Sequence, residues 1–540
     1  MLGGRRKPAR LALIAIVAAA IGVVPAKAGA AVPVQFETLR GFTAPETPDA
    51  LNVVGVLKTG DPEAKNVLVL NPGTSSSAAY FEPLAETIAE RLPNWQVWAV
   101  ERRENLLEDQ SMLDKLKLGQ ASARELFNYY LGYLTDPTVT NHVNNVPDSA
   151  VPFAREWGMN VEVQDLRRVV AVAASHGRRV VMGGHSLGGT ITTAYATWDF
   201  NGRPGARDLS GLVLIDGASN PIPVTPQEAS SSLANLQSSS PWLAFGGIAA
   251  PFAGLFGTVG SAAAKADPHA QSVFEGWPLL PANLMPPGGV IPTNEAGFGF
   301  GTDTETSPPN LRAAQVHAGH LAASGDPRGW VRGGEITPIQ RWASMFSGWD
   351  VLGHDGTAWY HPLRLTIDAG AVGNGIPNPA QQVLDVHSTL GSELSKHLKI
   401  YAFGAALGGE RVPLAAQAPG CRSGHRAGQP DTDRARRDLR PQRPELRRSG
   451  GERIPRAPDP LPRGDRQGQG PEAEVGIQPV STGRPLRRQV PTPPLATCRT
   501  RSKPSRCRIE AARPLRLPPL QIAAIARSRG SSPCRPGSSP

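Results

Sequence analysis

The sequence predicts an α/β protein built on a mostly parallel sheet with helices on both faces. Short apolar runs alternate with amphipathic helical patterns up to about residue 218, a rhythm typical of strands joined by crossover helices. The apolar runs are continuous, as expected of strands that are buried on both faces. One run ends in a glycine-rich turn that opens directly into a helix, which is a common arrangement at the edge of such a sheet.

The elements follow one another in a regular order. A strand at Val67 to Leu70 leads through a Gly/Ser loop to a helix from about Tyr80. "NWQVWAVERRE" predicts the next strand, "VEVQDLRRVVAVAASHG" a helix and "RRVVMGG" another strand. "HSLGGTITTAYATWDF" then indicates a turn opening a helix, and further strands are predicted at Leu212 to Ile215 and Leu398 to Phe403.

A large insertion interrupts this rhythm. Residues 219–395 are rich in Pro, Gly and Trp and show no clean alternation, so we expect a cap over the edge of the sheet. The predicted organisation is therefore a core at 33–218, the cap at 219–395 and a last core strand within 396–416. "PWLAFGGIAAPFAGLFG", from Pro241 to Gly257, suits a lid over an apolar substrate or, alternatively, the buried core of the cap.

The first 30 residues predict a signal peptide. A basic start is followed by an apolar run from Leu11 to Val24 and by Ala-x-Ala cleavage options ending at Ala28 or Ala30. A membrane anchor is the alternative, but the run is short for a span of about 20 residues. We expect export to the cell envelope or medium, with no integral membrane segment after cleavage.

The C-terminal tail, residues 417–540, differs sharply in composition from the rest of the chain. From Ala418 onward it carries 26 Lys+Arg against 10 Asp+Glu, a net charge of +16, whereas the preceding residues carry −6. All 4 Cys lie in the tail, which has 21 Pro and no aromatic residue. Such a segment has too little apolar surface to offset its chain entropy, so we predict that it is disordered.

The strongest chemical signal is "GGHSLGG". Gly184 to Gly188 fit G-x-S-x-G between a buried strand and a helix, where the turn is too tight for side chains at the glycines and lifts the Ser186 hydroxyl to the sheet edge. The chain here resembles the α/β-hydrolase superfamily, and more closely a group of secreted, largely uncharacterised bacterial α/β hydrolases. The resemblance runs from about Val34 to Ala416 through "LVLNPGTS", "VWAVERRENLLED", "GGHSLGG", "LVLIDG" and "HPLRLTIDAGA".

The resemblance implies an α/β-hydrolase fold with Ser186 as nucleophile, followed along the chain by an acid and then a histidine base. An oxyanion hole needs two backbone N–H groups. One is expected from Leu187, and the other from Gly73 or Thr74 in "NPGTSSS". The alternative is that Asn-Pro-Gly here forms an ordinary turn with no role in catalysis. Asp216 of "LIDG" is the predicted acid, with Asp368 of "LTIDAG" as the runner-up.

No base is identified in this chain. After Ile400 the remaining histidine is His425, in a context without a flanking helix, and the other histidines downstream of Ser186 lie in the cap or at its exit. A one-base shift of the reading frame between Leu414 and Gly420 would explain the missing base together with the charge, cysteine and aromatic imbalance. The shifted frame admits a loop with a histidine and then an apolar-periodic helix. The alternative is a genuine Arg/Pro-rich tail.

The sequence therefore predicts a secreted serine hydrolase that acts on small-molecule esters, with lipophilic esters among the candidate substrates. The chain as written is alternatively an inactive hydrolase-fold protein, because the base is lost. A third interpretation is a binding protein with a basic tail, but export and the lack of stacking aromatic residues argue against a nucleic-acid partner. No cofactor and no metal are expected. The H-x-x-H pair of His317 and His320 lacks a third ligand nearby in the sequence.

Overall fold

The computed structural model of the chain describes residues 32–308 and 316–404. The predicted signal peptide, residues 405–416 of the predicted last core segment and the basic tail lie outside these ranges. The strands are β1 Val34–Arg40, β2 Val53–Thr59, β3 Asn66–Asn71, β4 Trp95–Glu101, β5 Arg179–His185, β6 Gly211–Ile215, β7 His320–Leu321, β8 Trp330–Val331 and β9 Lys399–Phe403.

Seven of these strands form one sheet in the order β1-β2-β4-β3-β5-β6-β9. The five from β4 to β9 are parallel to one another, whereas β1 and β2 pair in antiparallel fashion with each other and β2 with β4. The mostly parallel sheet predicted from the apolar runs is confirmed. Strands β7 and β8 form a separate two-stranded sheet.

The helices are α1 Glu82–Arg91, α2 Ser111–Lys117, α3 Ala123–Tyr130, α4 Met159–Ala173, α5 Leu187–Thr197, α6 Pro226–Ser238, α7 Phe252–Ala266, α8 Asn294–Thr302, α9 Ile339–Ser347, α10 Leu363–Ala369 and α11 Pro379–Leu384. Both faces of the sheet are covered. On β3, Val67 and Val69 pack in one core with α4 and α5, whereas Leu68 and Leu70 pack in another with α1. This alternation explains why the strands read as continuous apolar runs.

The region predicted as a cap divides between two locations. Helices α6, α10 and α11 place Ala229, Leu365 and Leu384 in the sheet core beside α4 and α5. Helix α7 instead shares a second core with α2 and α3, which precede Ser186 in the chain, through residues such as Leu126 and Leu255. Helices α7, α8 and α9 also pack together. This second core is therefore built from two separate segments of the chain, one that precedes Ser186 and one that follows it.

No helix in the described part of the chain has both the length and the apolar character needed to cross a membrane.

Candidate active site

Ser186 occupies a strained turn between β5 and α5. Its backbone has φ 54° and ψ −121°, a conformation that non-glycine residues rarely adopt. The turn is compact because a Cβ at Gly184 would lie 2.2 Å from the Gly188 carbonyl carbon, and one at Gly188 would lie 2.0 Å from Asn71 O. The glycines of the motif are thus required by close packing. Leu187 begins α5, so its amide is one of the N–H groups without a partner inside the helix.

The loop of residues 72–77, which we term the candidate oxyanion loop, lies beside this turn. A Cβ at Gly73 would be 3.2 Å from the Cβ of Ser186 and 3.4 Å from Nδ1 of His185. Strand β3, which ends at Asn71, lies next to β5 in the sheet. The two predicted sources of oxyanion amides, Leu187 and the Gly73 region, are therefore both adjacent to Ser186.

The side chain of Arg102 binds three backbone carbonyl groups of the candidate oxyanion loop. Its guanidinium group donates to the carbonyl oxygens of Pro72 at 3.1 Å, Gly73 at 3.2 Å and Ser76 at 2.9 Å. In a trans peptide the C=O and the following N–H point in opposite directions. Bonds from Arg102 to the Pro72 and Gly73 carbonyls therefore turn the N–H groups of Gly73 and Thr74 to the opposite side of the loop.

The charge of Arg102 is balanced inside the protein. Its Nε donates to Glu104 Oε1 at 2.7 Å, and the side chains of both residues are almost completely buried. Burial raises the pKa of Glu104, and the charge of Arg102 opposes this rise. Burial also raises the pKa of Glu162 to about 8, again opposed by Arg102. The guanidinium group is thus a fixed, desolvated positive charge beneath the loop.

A segment that precedes α10 also binds the loop. Ser77 N donates to Gly356 O at 3.2 Å, and Ala358 N donates to Ser75 O at 2.9 Å. The Ser77 hydroxyl donates to the carbonyl oxygen of Asp355. The candidate oxyanion loop is therefore fixed by Arg102, which directly follows β4, and by a segment of the predicted cap.

A cavity of about 250 Å³ opens at this position, which we term the Ser186 cavity. One part of its lining consists of Ser186, His185, Gly73, Thr74 and Tyr80. Other lining residues come from the α7 region and from segments around α9: Phe245, Ala253, Gly254, Gly257, Phe346, Gly356 and Thr357. The cavity combines a polar end at Ser186 with an apolar wall, which is the usual character of a small-molecule site.

Asp216 lies beside Ser186 at the carboxyl edge of the sheet. The preceding residues, His185 and Ile215, are paired neighbours in the parallel strands β5 and β6. Asp216 is 8% exposed, has φ 45° and donates its backbone N–H to Phe403 O at 2.7 Å. Burial raises the pKa of Tyr80, and the charge of Asp216 raises it further. The structure thus brings the predicted acid to the edge of the site.

Asp368, the runner-up acid, lies on α10 and has two structural partners. One carboxylate oxygen accepts the N–H of Met159, the first residue of α4, at 2.9 Å. The other accepts Arg364 Nε at 2.7 Å. Burial raises the pKa of Asp368 to about 6, and Arg364 opposes the rise. Asp368 does not line the Ser186 cavity, and its contacts fit a residue that joins α4 to α10.

His185 is the one histidine of the described ranges that lines the Ser186 cavity. Its ring stacks on that of Tyr80 with centroids 5.6 Å apart, and burial lowers its pKa. His361 lies behind the candidate oxyanion loop, where Nδ1 is 3.5 Å from Ser75 N and Nε2 is 3.2 Å from Thr366 Oγ1. Neither arrangement pairs a histidine with Ser186. His425 lies outside the described residues.

One group in the described residues resembles a metal site in composition. Asp303, Glu305 and His317 bring potential ligand atoms within 4.8 Å of one another. However, His317 Nδ1 is 3.1 Å from Asp303 Oδ2 and its Nε2 is 3.0 Å from Gly333 O. Since a carbonyl and a carboxylate both accept hydrogen bonds, these contacts use both ring nitrogens as donors and raise the pKa of His317. The geometry fits a protonated histidine paired with Asp303.

The sequence did not single out Arg102 or the segment at 355–358. The sequence signal for Arg102 is its position at the end of a buried strand, since β4 ends at Glu101 and charged residues there lie at the edge of the sheet. Tyr80 was predicted only as a helix residue. The role of the segment at 355–358 depends on contacts between residues more than 250 positions apart, and the sequence has no local pattern for it.

Replacing Arg102 tests whether the loop depends on it. If Gly73 and Thr74 supply oxyanion amides, Arg102→Lys in a chain with the reading frame shifted near Leu414 is expected to lower kcat by on the order of 10²-fold with KM nearly unchanged, because one of these amides is misplaced. Arg103→Lys is the matched control. Arg103 is equally buried but pairs with Asp165 and does not contact the loop. An equal loss of kcat in both variants, measured at matched thermal stability, would contradict a positioning role.

No family model and no curated protein matches this chain. Similar solved structures include a protein from Sulfolobus solfataricus assigned as a lipase, the thioesterase domain of the curacin biosynthetic pathway and a thermostable carboxyl esterase from Bacillus coagulans. Their sequence identities are 15%, 14% and 15%, with TM-scores of 0.26, 0.23 and 0.21.

These matches cover 39%, 39% and 37% of this chain, and 53%, 53% and 50% of the three structures, so the chain spans about half the length of each. The strand order, the parallel core of the sheet and the Ser186 turn after β5 assign the chain to the α/β-hydrolase fold class. Fold alone does not define an activity, which depends on the residues of the site.

Proposed function

We propose that this protein is an exported serine hydrolase that cleaves carboxylic esters of small, apolar molecules. The observation that carries the proposal is the strained Ser186 turn beside a loop whose carbonyls are held by Arg102. Bonds from Arg102 to the Pro72 and Gly73 carbonyls would turn the N–H groups of Gly73 and Thr74 away from Arg102, and Gly73 itself lies against Ser186. Export is proposed from the N-terminal sequence.

In the proposed acylation step, Ser186 Oγ attacks the ester carbonyl carbon while its proton passes to a histidine base. The carbonyl oxygen becomes an oxyanion, which accepts hydrogen bonds from Leu187 N–H and from Gly73 or Thr74 N–H. Collapse of the tetrahedral intermediate breaks the bond to the alkoxy oxygen, and the base returns the proton to the leaving alcohol. The acyl group remains on Ser186.

Deacylation repeats this sequence with water. The base takes a proton from water as the water oxygen attacks the acyl carbon, and the second oxyanion uses the same amides. The proton then returns to Ser186 Oγ and the carboxylic acid is released. Asp216 would orient the base and stabilise its cationic form, a role that fits its position beside Ser186 at the sheet edge.

The proposed base is a histidine of the native reading frame, downstream of residues 414–420. The chain as written would then bind substrate but turn it over slowly, since no histidine of the described residues is paired with Ser186. The closing helix of the shifted frame would also be missing, which would leave apolar surface in water.

The proposal is tested by restoring the reading frame near Leu414 and measuring hydrolysis of p-nitrophenyl butyrate. We expect a shorter, soluble chain with esterase activity, and little activity from the 540-residue chain. Resequencing the coding DNA at this point is the direct control. Robust activity of the uncorrected chain, lost on replacing His425 or a cap histidine, would show that the frameshift account is wrong.

A further inference from the structure

A second cavity, which we term the apolar chamber, adjoins the Ser186 cavity. It has a volume of about 130 Å³ and lies among α7, α8 and α9. The two cavities share four lining residues: Phe245, Ala253, Gly257 and Phe346. A molecule reaching the apolar end of the Ser186 cavity therefore meets the entrance of the chamber directly.

The walls of the chamber are aliphatic and aromatic. The lining includes Phe256, Phe274, Phe298, Leu280 and Met285. Within the described residues, no Asp, Glu, Lys or Arg side chain contributes to it. Such a surface binds hydrocarbon through the hydrophobic effect and dispersion, without fixing a direction by hydrogen bonds.

The polar side chains of the lining are mostly engaged with the protein. Asn294 accepts from Val273 N at 2.9 Å and donates to Asp267 O at 2.8 Å. Thr302 donates to Phe298 O at 2.7 Å, and Ser272 accepts from Phe274 N at 3.3 Å. The indole N–H of Trp342 has no hydrogen-bond partner among the described residues. The chamber thus offers very little to a polar ligand.

Glycines keep the chamber open. Its lining includes two glycines of α7, Gly257 and Gly260, and two of α8, Gly297 and Gly301. Glycine within a helix lowers the stability of the helix by about 0.5–1 kcal/mol relative to alanine. A Cβ at Gly260 would lie 3.5 Å from Phe298 and 3.6 Å from Phe274, which is ordinary contact. The backbone does not demand glycine at this position, so its effect is to leave space.

We propose that the apolar chamber binds the acyl chain of the substrate, and that it selects esters of unbranched aliphatic acids longer than butyrate. This inference rests on the proposed function, because it places the ester carbonyl at Ser186 and the hydrocarbon in the chamber. The shared residues Ala253 and Gly257 lie on one side of α7, and Gly260 follows them one turn further on. In this proposal the acyl chain of the substrate runs along this face of α7.

Binding of octanoate to the full chain tests the chamber without requiring turnover. By calorimetry, Gly260→Leu is expected to weaken octanoate binding by at least about tenfold and to affect butyrate little, because the leucine fills space that only the longer chain uses. The matched control is Ala266→Leu, at an exposed position in the last turn of α7. A second variant, Gly301→Val, fills the chamber from α8 and serves if Gly260→Leu does not fold.

Turnover in the frame-corrected protein separates this inference from the proposed function. We expect Gly260→Leu to lower kcat/KM for p-nitrophenyl octanoate by about tenfold relative to the butyrate ester. Equal losses for both esters, or octanoate binding that neither chamber variant changes, would overturn the chamber proposal while leaving esterase activity intact. Octanoate binding that is weakened in the variants, with no ester hydrolysed by the corrected protein, would support the chamber and overturn the proposed function.

Discussion

A fluorophosphonate probe is expected to label Ser186 in the frame-corrected protein, and Ser186→Ala should abolish both labelling and ester hydrolysis. The turn holds Ser186 beside Leu187 and Gly73, whose amides would stabilise the charge that develops on the phosphoryl oxygen as the serine displaces fluoride. Loss of the nucleophile of a triad lowers kcat by on the order of 10⁶-fold. Mass spectrometry of the labelled peptide and a progress curve with p-nitrophenyl butyrate measure the two effects.

Ser76→Ala is the matched control for this experiment, because Ser76 also lines the Ser186 cavity but contacts Arg102 through its backbone carbonyl. This variant should keep most of the labelling. Probe that remains bound at another serine in Ser186→Ala would sink the assignment of the nucleophile.

Asp216→Asn is expected to lower kcat of the frame-corrected protein by on the order of 10⁴-fold, the effect of the same change in a serine protease triad. The amide would no longer stabilise the cationic histidine or hold it in the correct tautomer. Rate measurements under saturating ester isolate this effect from substrate binding.

Asp368→Asn is the comparison that decides between the two acids. Because Asp368 accepts hydrogen bonds from Met159 and Arg364, its replacement should lower the free energy of unfolding by about 1–3 kcal/mol with kcat nearly unchanged. If Asp368→Asn removes turnover and Asp216→Asn leaves it, the acid has been misplaced.

Much of the fold could be predicted because its signals are local. Strands β3, β5 and β6 are short apolar runs, and the helices that follow β3 and β5 begin at recognisable loops. Strands β1 and β2 were not predicted. Strand β1 is at the edge of the sheet, with several exposed residues and Glu37 and Arg40 within it, so it lacks the continuous apolar character that marks the parallel strands.

The site could be predicted only in part, for the same physical reason. The glycines around Ser186 and in the loop after β3 are adjacent to the residues they serve, so sequence patterns identify them. Arg102 looks like a surface charge until its burial and its contacts with three carbonyls are seen. The shared core of α2, α3 and α7 is likewise formed by segments far apart in the chain, for which a single sequence gives no pairing information.

The hydrogen bonds between residues 75–77 and 355–358 bear on how this protein could be engineered. The segment that covers the sheet is not a detachable module, because excising residues 219–395 would also remove Gly356 and Ala358, which fix Ser77 and Ser75. A covering segment exchanged with that of another α/β-hydrolase-fold protein would carry part of the surroundings of Ser186 with it. Specificity and rate are therefore expected to change together in such chimeras, unless the grafted segment begins after Ala358.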